Sequence, residues 1–196
     1  MKIAIDIALI PPQPIIDLVA QINVQARDRG ETDRRIDGVQ YMPHMTILMG
    51  TIDETRLSEA SKHLAEIAKR HAPLLLTMDH FDREALAIDN TEAIRALHED
   101  VMAHINPLVT HEPATLGMFA EPAGTVLGKS NVGYFPNFMT KGAHENYWPH
   151  ITTWTPTEAP AVFPLFCTAT TLALYHMGNN CTCAKKIVSF ELTEQT

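Results

Sequence analysis

Two short segments hold residue types that could move protons at a phosphodiester. One is Tyr41-Met42-Pro43-His44-Met45-Thr46 and the other is Tyr147-Trp148-Pro149-His150-Ile151-Thr152, with Tyr, Pro, His and Thr at matching offsets 106 residues apart. A proline directly before each histidine marks a strand start, where a missing N–H is tolerated. Residues two apart in a strand share a face, so His44 and Thr46 point one way while Met45 and Ile47 point into a core; His150 and Thr152 oppose Ile151 likewise. Brought together, the two faces set two imidazoles and two hydroxyls around one space. A neutral imidazole can take the proton of an attacking water or 2′-hydroxyl while a protonated one supplies the departing oxygen. The threonine hydroxyls can donate to the non-bridging oxygens, where charge builds in the transition state. An ordinary histidine pKa of about 6.5 makes both protonation states accessible near neutrality, and the scheme requires no metal or other cofactor. Which histidine acts as base is open, because the two segments are so alike.

Those faces need strands to carry them. Ile3, Ile5, Ile7 and Leu9 alternate with Ala4, Asp6 and Ala8, which predicts a first strand ended by Pro11, Pro12 and Pro14. Ile15, Leu18, Val19, Ile22 and Ala26 then recur at helical spacing, followed by a charged loop over 27–37 and a second strand over 44–52. Asp53 or Thr55 can cap a second helix, on which Leu57, Ala60, Leu64, Ile67, Ala68 and His71 share a face. Residues 74–81 and 85–89 read as a hairpin, and 91–108 as a third helix. Residues 113–142 read as loop-rich, with strand fragments near 116–120 and 125–127. A further strand begins at His150, 155–164 is a proline-broken loop, and 168–177 with 183–192 form a hairpin around Gly178-Asn179-Asn180. The class is α+β with mainly antiparallel sheets, and with no linker in view residues 1–196 are expected to form a single domain.

The chain has 196 residues, 15 Lys+Arg against 23 Asp+Glu and a formal charge of -8, with 45% hydrophobic and 19% charged residues. That is enough chain to bury a core without disulfides or metals. The acidic balance disfavours a grip on long nucleic acid, which needs clustered Lys and Arg. No apolar run approaches the roughly 18–20 residues that span a bilayer. Asp6 interrupts the N-terminal apolar stretch and no small-residue cleavage site follows, which argues against a secretory signal. Three cysteines point to a reducing cytoplasm and away from a disulfide scaffold.

At His44-Met45-Thr46 and His150-Ile151-Thr152 the sequence resembles the 2H phosphoesterase superfamily, which includes the 2′-5′ RNA ligase-like and cyclic phosphodiesterase families. The resemblance implies a bilobal α+β fold, two pseudo-symmetric lobes with helices outside, one motif on an inner strand of each lobe and a cleft between. It also implies a metal-independent phosphodiesterase acting on 2′,3′-cyclic, 1″,2″-cyclic or 2′-5′ linkages, with His44, Thr46, His150 and Thr152 as the catalytic set. Ligase-like members often place an Arg near the second motif; here no Arg follows Arg95. The nearest basic candidates are Lys129 and Lys141. With the acidic charge, the expected partner is a small nucleotide or short oligonucleotide rather than long RNA or a membrane, and a monomer is expected. A nucleotide-sensing module without turnover and a 2′-5′ ligase-like role in RNA end processing are the alternatives.

Tyr41, Tyr134, Phe135, Tyr147 and Trp148 are aromatic candidates for stacking on a base. Tyr41 and Tyr147 lie an odd number of positions from their histidines, which turns them toward packing, whereas Trp148 shares the face of His150. His176, Cys181 and Cys183 invite a zinc-dependent reading, but their spacing suits a hairpin turn with free thiols. Glu121 and Glu145 could orient a histidine, and Arg34 or Arg35 could reach a phosphate. His98, His104 and His111 fall on the third helix and its exit, with no role assigned to them.

Overall fold

A computed structural model describes residues 1–82, 84–120, 130–156 and 161–193. The apolar alternation at the N-terminus forms strand β1 (Lys2–Ile10), and helix α1 (Gln13–Asp28) starts directly after Pro11 and Pro12. Strand β2 (Met45–Asp53) follows the charged loop, and Asp53 accepts the Thr55 N–H ahead of α2 (Leu57–Arg70). The hairpin β3 (Leu74–Asp82) and β4 (Ala85–Ile88) precedes α3 (Glu92–His104), whose N-terminus is capped by the Thr91 hydroxyl at 3.3 Å from the Ile94 nitrogen. The short β5 (Val109–Thr110), helix α4 (Ser130–Lys141), and strands β6 (His150–Thr152), β7 (Leu165–Ala169), β8 (Thr171–Gly178) and β9 (Thr182–Glu191) complete the described elements.

The strands pair antiparallel in the order β7-β3-β4-β6-β2-β1-β8-β9, with β5 added to β2. Two four-stranded lobes, β7-β3-β4-β6 and β2-β1-β8-β9, therefore meet where the two motif strands lie side by side. Ile3, Ile5, Ile7 and Leu9 face the main core, with the apolar stripes of α1, α2 and α3 packed on it. Each such isoleucine taken out of water contributes roughly 1.5–3 kcal/mol before chain entropy is counted. The opposite face, with Ala4, Asp6 and Ala8, looks toward α4 and the site.

Strand β2 carries a bulge. Leu48 stands opposite Ile7 but Thr46 stands opposite Ala8, so Ile47 is one residue too many for β1. Met45, Ile47 and Leu48 all pack in the main core, while Thr46 and Met49 turn to the other face.

Four local expectations need correction. Residues 116–118 form a 3-10 turn rather than a strand, and 125–127 lie outside the described residues. The loop-rich stretch contains α4, which Gly133 and Pro136 had masked; burial of Phe135 and Phe138 supports it where intrinsic propensity does not. The third helix stops at His104, short of Pro107. The strand expected over 168–177 is two: β7 pairs with β3, and only β8 pairs with β9. Among the described residues no helix is long and apolar enough to cross a membrane.

Candidate active site

Met45 and Ile151, both fully buried, are directly paired across β2 and β6. Antiparallel pairing then sets His44 across from Thr152 and Thr46 across from His150, at side-chain separations of about 5 Å. All four line one cavity of about 750 Å³.

The imidazoles are held in the same way in both motifs. His44 Nδ1 lies 2.7 Å from the Met42 carbonyl, and His150 Nδ1 lies 2.9 Å from the Trp148 carbonyl. A carbonyl only accepts, so each Nδ1 carries its proton and each neutral ring keeps its lone pair on Nε2. The His44 side chain is 14% exposed. Burial pulls its pKa down to about 4, against the opposing pull of the Met42 carbonyl and with some repulsion from His150. Burial lowers His150 too, opposed by the Trp148 carbonyl. One such nitrogen can take a proton while the other, once protonated, gives one up.

Beneath the first motif lies Asp6, a residue that sequence reasoning treated only as a break in an apolar stretch. It is fully buried, and Thr46 Oγ1 sits 2.8 Å from its Oδ2, which is also 3.7 Å from His44 Nε2. Burial holds its carboxyl well above the usual range, only partly countered by the Thr46 hydrogen bond. The available signal was parity: Asp6 shares a strand face with Ala4 and Ala8, the face the motif threonine also uses.

His98 is a second residue missed from sequence. Its Nδ1–H donates to the Ile47 carbonyl at 2.9 Å, at the bulge, while its Nε2 accepts the His144 backbone N–H at 2.9 Å. Its ring stacks on Tyr147 at 4.0 Å, and the Tyr147 hydroxyl donates to the Thr46 carbonyl at 3.0 Å. The segment leading into the second motif is thereby tied to the strand of the first.

Among the expected ligand-binding residues, Trp148, Tyr134 and Lys141 line the cavity. Trp148 stacks on His150 at 4.1 Å, and Tyr134 is half exposed. Phe135 is fully buried and stacked on Phe119, so it offers no face to a ligand. Tyr41 lies in the core, away from the cavity, and buried Tyr147 reaches the cavity wall while its ring and hydroxyl serve His98 and Thr46. Lys129 and Glu121 fall outside the described residues. Glu145 is exposed and does not line the cavity, whereas Arg34 does, its guanidinium 5.4 Å over the Trp154 ring.

Among the described residues, two sets offer ligand atoms within 4.8 Å of one another: Asp6 with His44 and Cys183, and His98 with Glu99 and His144. Both ring nitrogens of His98 are already engaged. A cation in the first set would take His44 Nε2, the ring nitrogen not engaged by the Met42 carbonyl. His176 joins neither set; its Nε2–H donates to the Met118 carbonyl at 3.0 Å.

Residues 11–123 match the sequence model of the family described as the 2′-5′ RNA ligase superfamily, a span that includes the first motif and ends before the second. No curated protein matches the chain. In fold, the chain is similar to TT0787 of Thermus thermophilus, with 16% identity, a TM-score of 0.58, and coverage of 99% of this chain and 100% of that one. It is also similar to E. coli LigT complexed with NADP+, at 13% identity and TM-score 0.54 over 99% of this chain and 100% of that one. LigT complexed with 3′-AMP gives 15% identity and TM-score 0.51, over 98% and 99%.

Proposed function

From the premise that the chain belongs to the 2′-5′ RNA ligase superfamily of 2H phosphoesterases, we propose that it is a metal-independent phosphodiesterase that hydrolyses 2′,3′-cyclic or 2′-5′ linkages in nucleotides or short oligonucleotides. In this reading residues 1–196 work as one bilobal unit. The observation that carries it is the matched tethering of the two histidines: each Nδ1–H is spent on the carbonyl two residues earlier, leaving two Nε2 atoms for one cavity.

One Nε2 removes the proton from the attacking water as its oxygen bonds to phosphorus. The other, protonated, delivers a proton to the ribose oxygen as its bond to phosphorus breaks. Thr46 and Thr152 donate to the non-bridging oxygens. Trp148, Tyr134 and Lys141 take the base and the remaining charge. LigT has been crystallised with 3′-AMP and with NADP+, which supports a small nucleotide as the ligand class here.

The test is a panel of 2′,3′-cyclic and 2′-5′ linked nucleotides with product identification, since the position of the product phosphate names the bond cleaved. Turnover of at least one of these linkages is expected. Binding across the panel by calorimetry with no product would sink the phosphodiesterase reading and favour a nucleotide sensor.

A further inference from the structure

We propose that Asp6 is a positioning residue for this site: as a neutral acid it donates to the Thr46 oxygen and so turns the Thr46 proton toward the substrate. The inference rests on the phosphodiesterase reading for its consequence in turnover, and on the geometry around Asp6 for its substance.

A threonine hydroxyl has one proton to give. Thr46 Oγ1 and Asp6 Oδ2 are 2.8 Å apart, so one of the two donates to the other. If Asp6 is a carboxylate it can only accept. The Thr46 proton is then held beneath the floor of the cavity, and the hydroxyl shows lone pairs to the non-bridging oxygens of a phosphodiester, which repel them. If Asp6 carries a proton, the bond runs the other way and the Thr46 proton is free to meet the phosphate. Only the second arrangement makes Thr46 a donor.

The surroundings favour the neutral acid. Asp6 Oδ1 is buried with no hydrogen-bond partner among the described residues. A full carboxylate would leave half its charge unsolvated there, whereas a carboxylic acid leaves only a weak carbonyl acceptor. The titratable groups facing it are His44 beside β2, Tyr147 ahead of β6, Tyr175 on β8, Cys181 in the β8–β9 turn and Cys183 on β9. Burial makes every one of them neutral at pH 7. It lowers His44 to about 4, pushes Cys181 and Tyr175 to about 12, and raises Tyr147 and Cys183 strongly. With His44 neutral, no cation in this group would stabilise an ionised Asp6. Among the described residues the second motif has no equivalent: Thr152 is exposed, and its β4 neighbour is Ala85.

Two measurements test this. Infrared spectroscopy of the wild-type protein through a pH titration reads the proton on Asp6 without substrate, and the assignment comes from the difference against Asp6→Asn. A protonated-carboxyl carbonyl band that persists at pH 7 and is missing in the variant is expected. Its absence at pH 7 in the wild type would overturn the proposal, whether or not the variant folds. In turnover, Thr46→Val is expected to lose about 10²–10³-fold in kcat, as for one transition-state donor. Asp6→Asn, whose amide also donates to Thr46, should stay within about threefold at pH 7 because one neutral donor replaces another. Its kcat/KM should also lose one fewer proton on the alkaline limb than the wild type. A loss in Asp6→Asn as large as in Thr46→Val would show that a carboxylate is needed and would overturn the proposal. Absence of turnover by the wild type counts against the phosphodiesterase reading, and absence of the acid band counts against Asp6, so the two failures are separable.

Discussion

Met45 stands directly across from Ile151, and around that buried pair each motif histidine faces the other motif's threonine. The two copies are related by a local twofold through their shared register. Under the proposed mechanism, whichever histidine takes the proton has a threonine from the opposite lobe as its cross-strand neighbour.

His44→Ala and His150→Ala should therefore each lose about 10²–10⁴-fold in kcat, the usual contribution of a positioned acid or base. KM should change little. Steady-state kinetics on the preferred nucleotide, with circular dichroism to show that the fold is retained, checks this; full activity in either variant would remove that histidine from the mechanism.

Both histidines are depressed by burial, His44 to about 4. The base is available above its lowered pKa and the acid is lost above its own, so kcat/KM should peak on the acid side of pH 6.5, the ordinary histidine value of about 6.5 marking the upper edge. Stability follows the same groups. Between about 6.5 and about 4 the unfolded chain binds protons that folded His44 refuses, so stability is lost as pH falls through that window. A neutral Asp6 contributes with the opposite sign over the same window. The His44 part is therefore read as the difference between wild-type and His44→Gln thermal melts from pH 7 to pH 4, in which the wild type should lose more stability on acidification.

Excess chelator should leave the rate unchanged, because the scheme uses only side-chain protons and hydroxyls. A loss of activity restored by added zinc would instead point to the Asp6, His44 and Cys183 set as a working metal site.

His98→Ala strands the Ile47 carbonyl and the His144 N–H together. Urea unfolding should register a loss of about 2–6 kcal/mol, since each of the two unsatisfied groups costs about 1–3. A change within about 0.5 kcal/mol, typical of an inconsequential surface site, would contradict the tethering described for it.

Tyr134 is half exposed on the cavity wall, and the proposed scheme gives it no proton to move. Tyr134→Ala should raise KM about fivefold or more with kcat retained, as the loss of about 1 kcal/mol or more of base stacking would. A fall in kcat at constant KM would place Tyr134 in a different role.

The two motifs and the strands that carry them are legible in the sequence because their physics is local. Proline before histidine, and alternation afterwards, suffice to put His44 with Thr46 and His150 with Thr152 on shared faces. Asp6 and His98 are not legible, since their meaning depends on partners far along the chain. Asp6 meets Thr46 only once β1 and β2 pair with a bulge, and His98 meets Ile47 only because that bulge frees a carbonyl. Phe135 misled for the same reason: its neighbour Tyr134 faces the cavity, but the helix that turns Phe135 inward is held by packing rather than by propensity. The bilobal arrangement was implied by family resemblance, whereas the split of 168–177 into two strands in different lobes depends on a pairing of β7 with β3 that no local pattern announces.

The extra residue at Ile47 sets the parity of everything beyond it on β2. Upstream of the bulge, even-numbered Thr46 faces the cavity; downstream, odd-numbered Met49 does. Removing that one residue would restore a regular ladder with the same side chains toward the cavity, whereas a single-residue deletion beyond Met49 would exchange inside for outside along the rest of the strand. A change of one residue in length is thus absorbed at the bulge but not in the regular ladder that follows it.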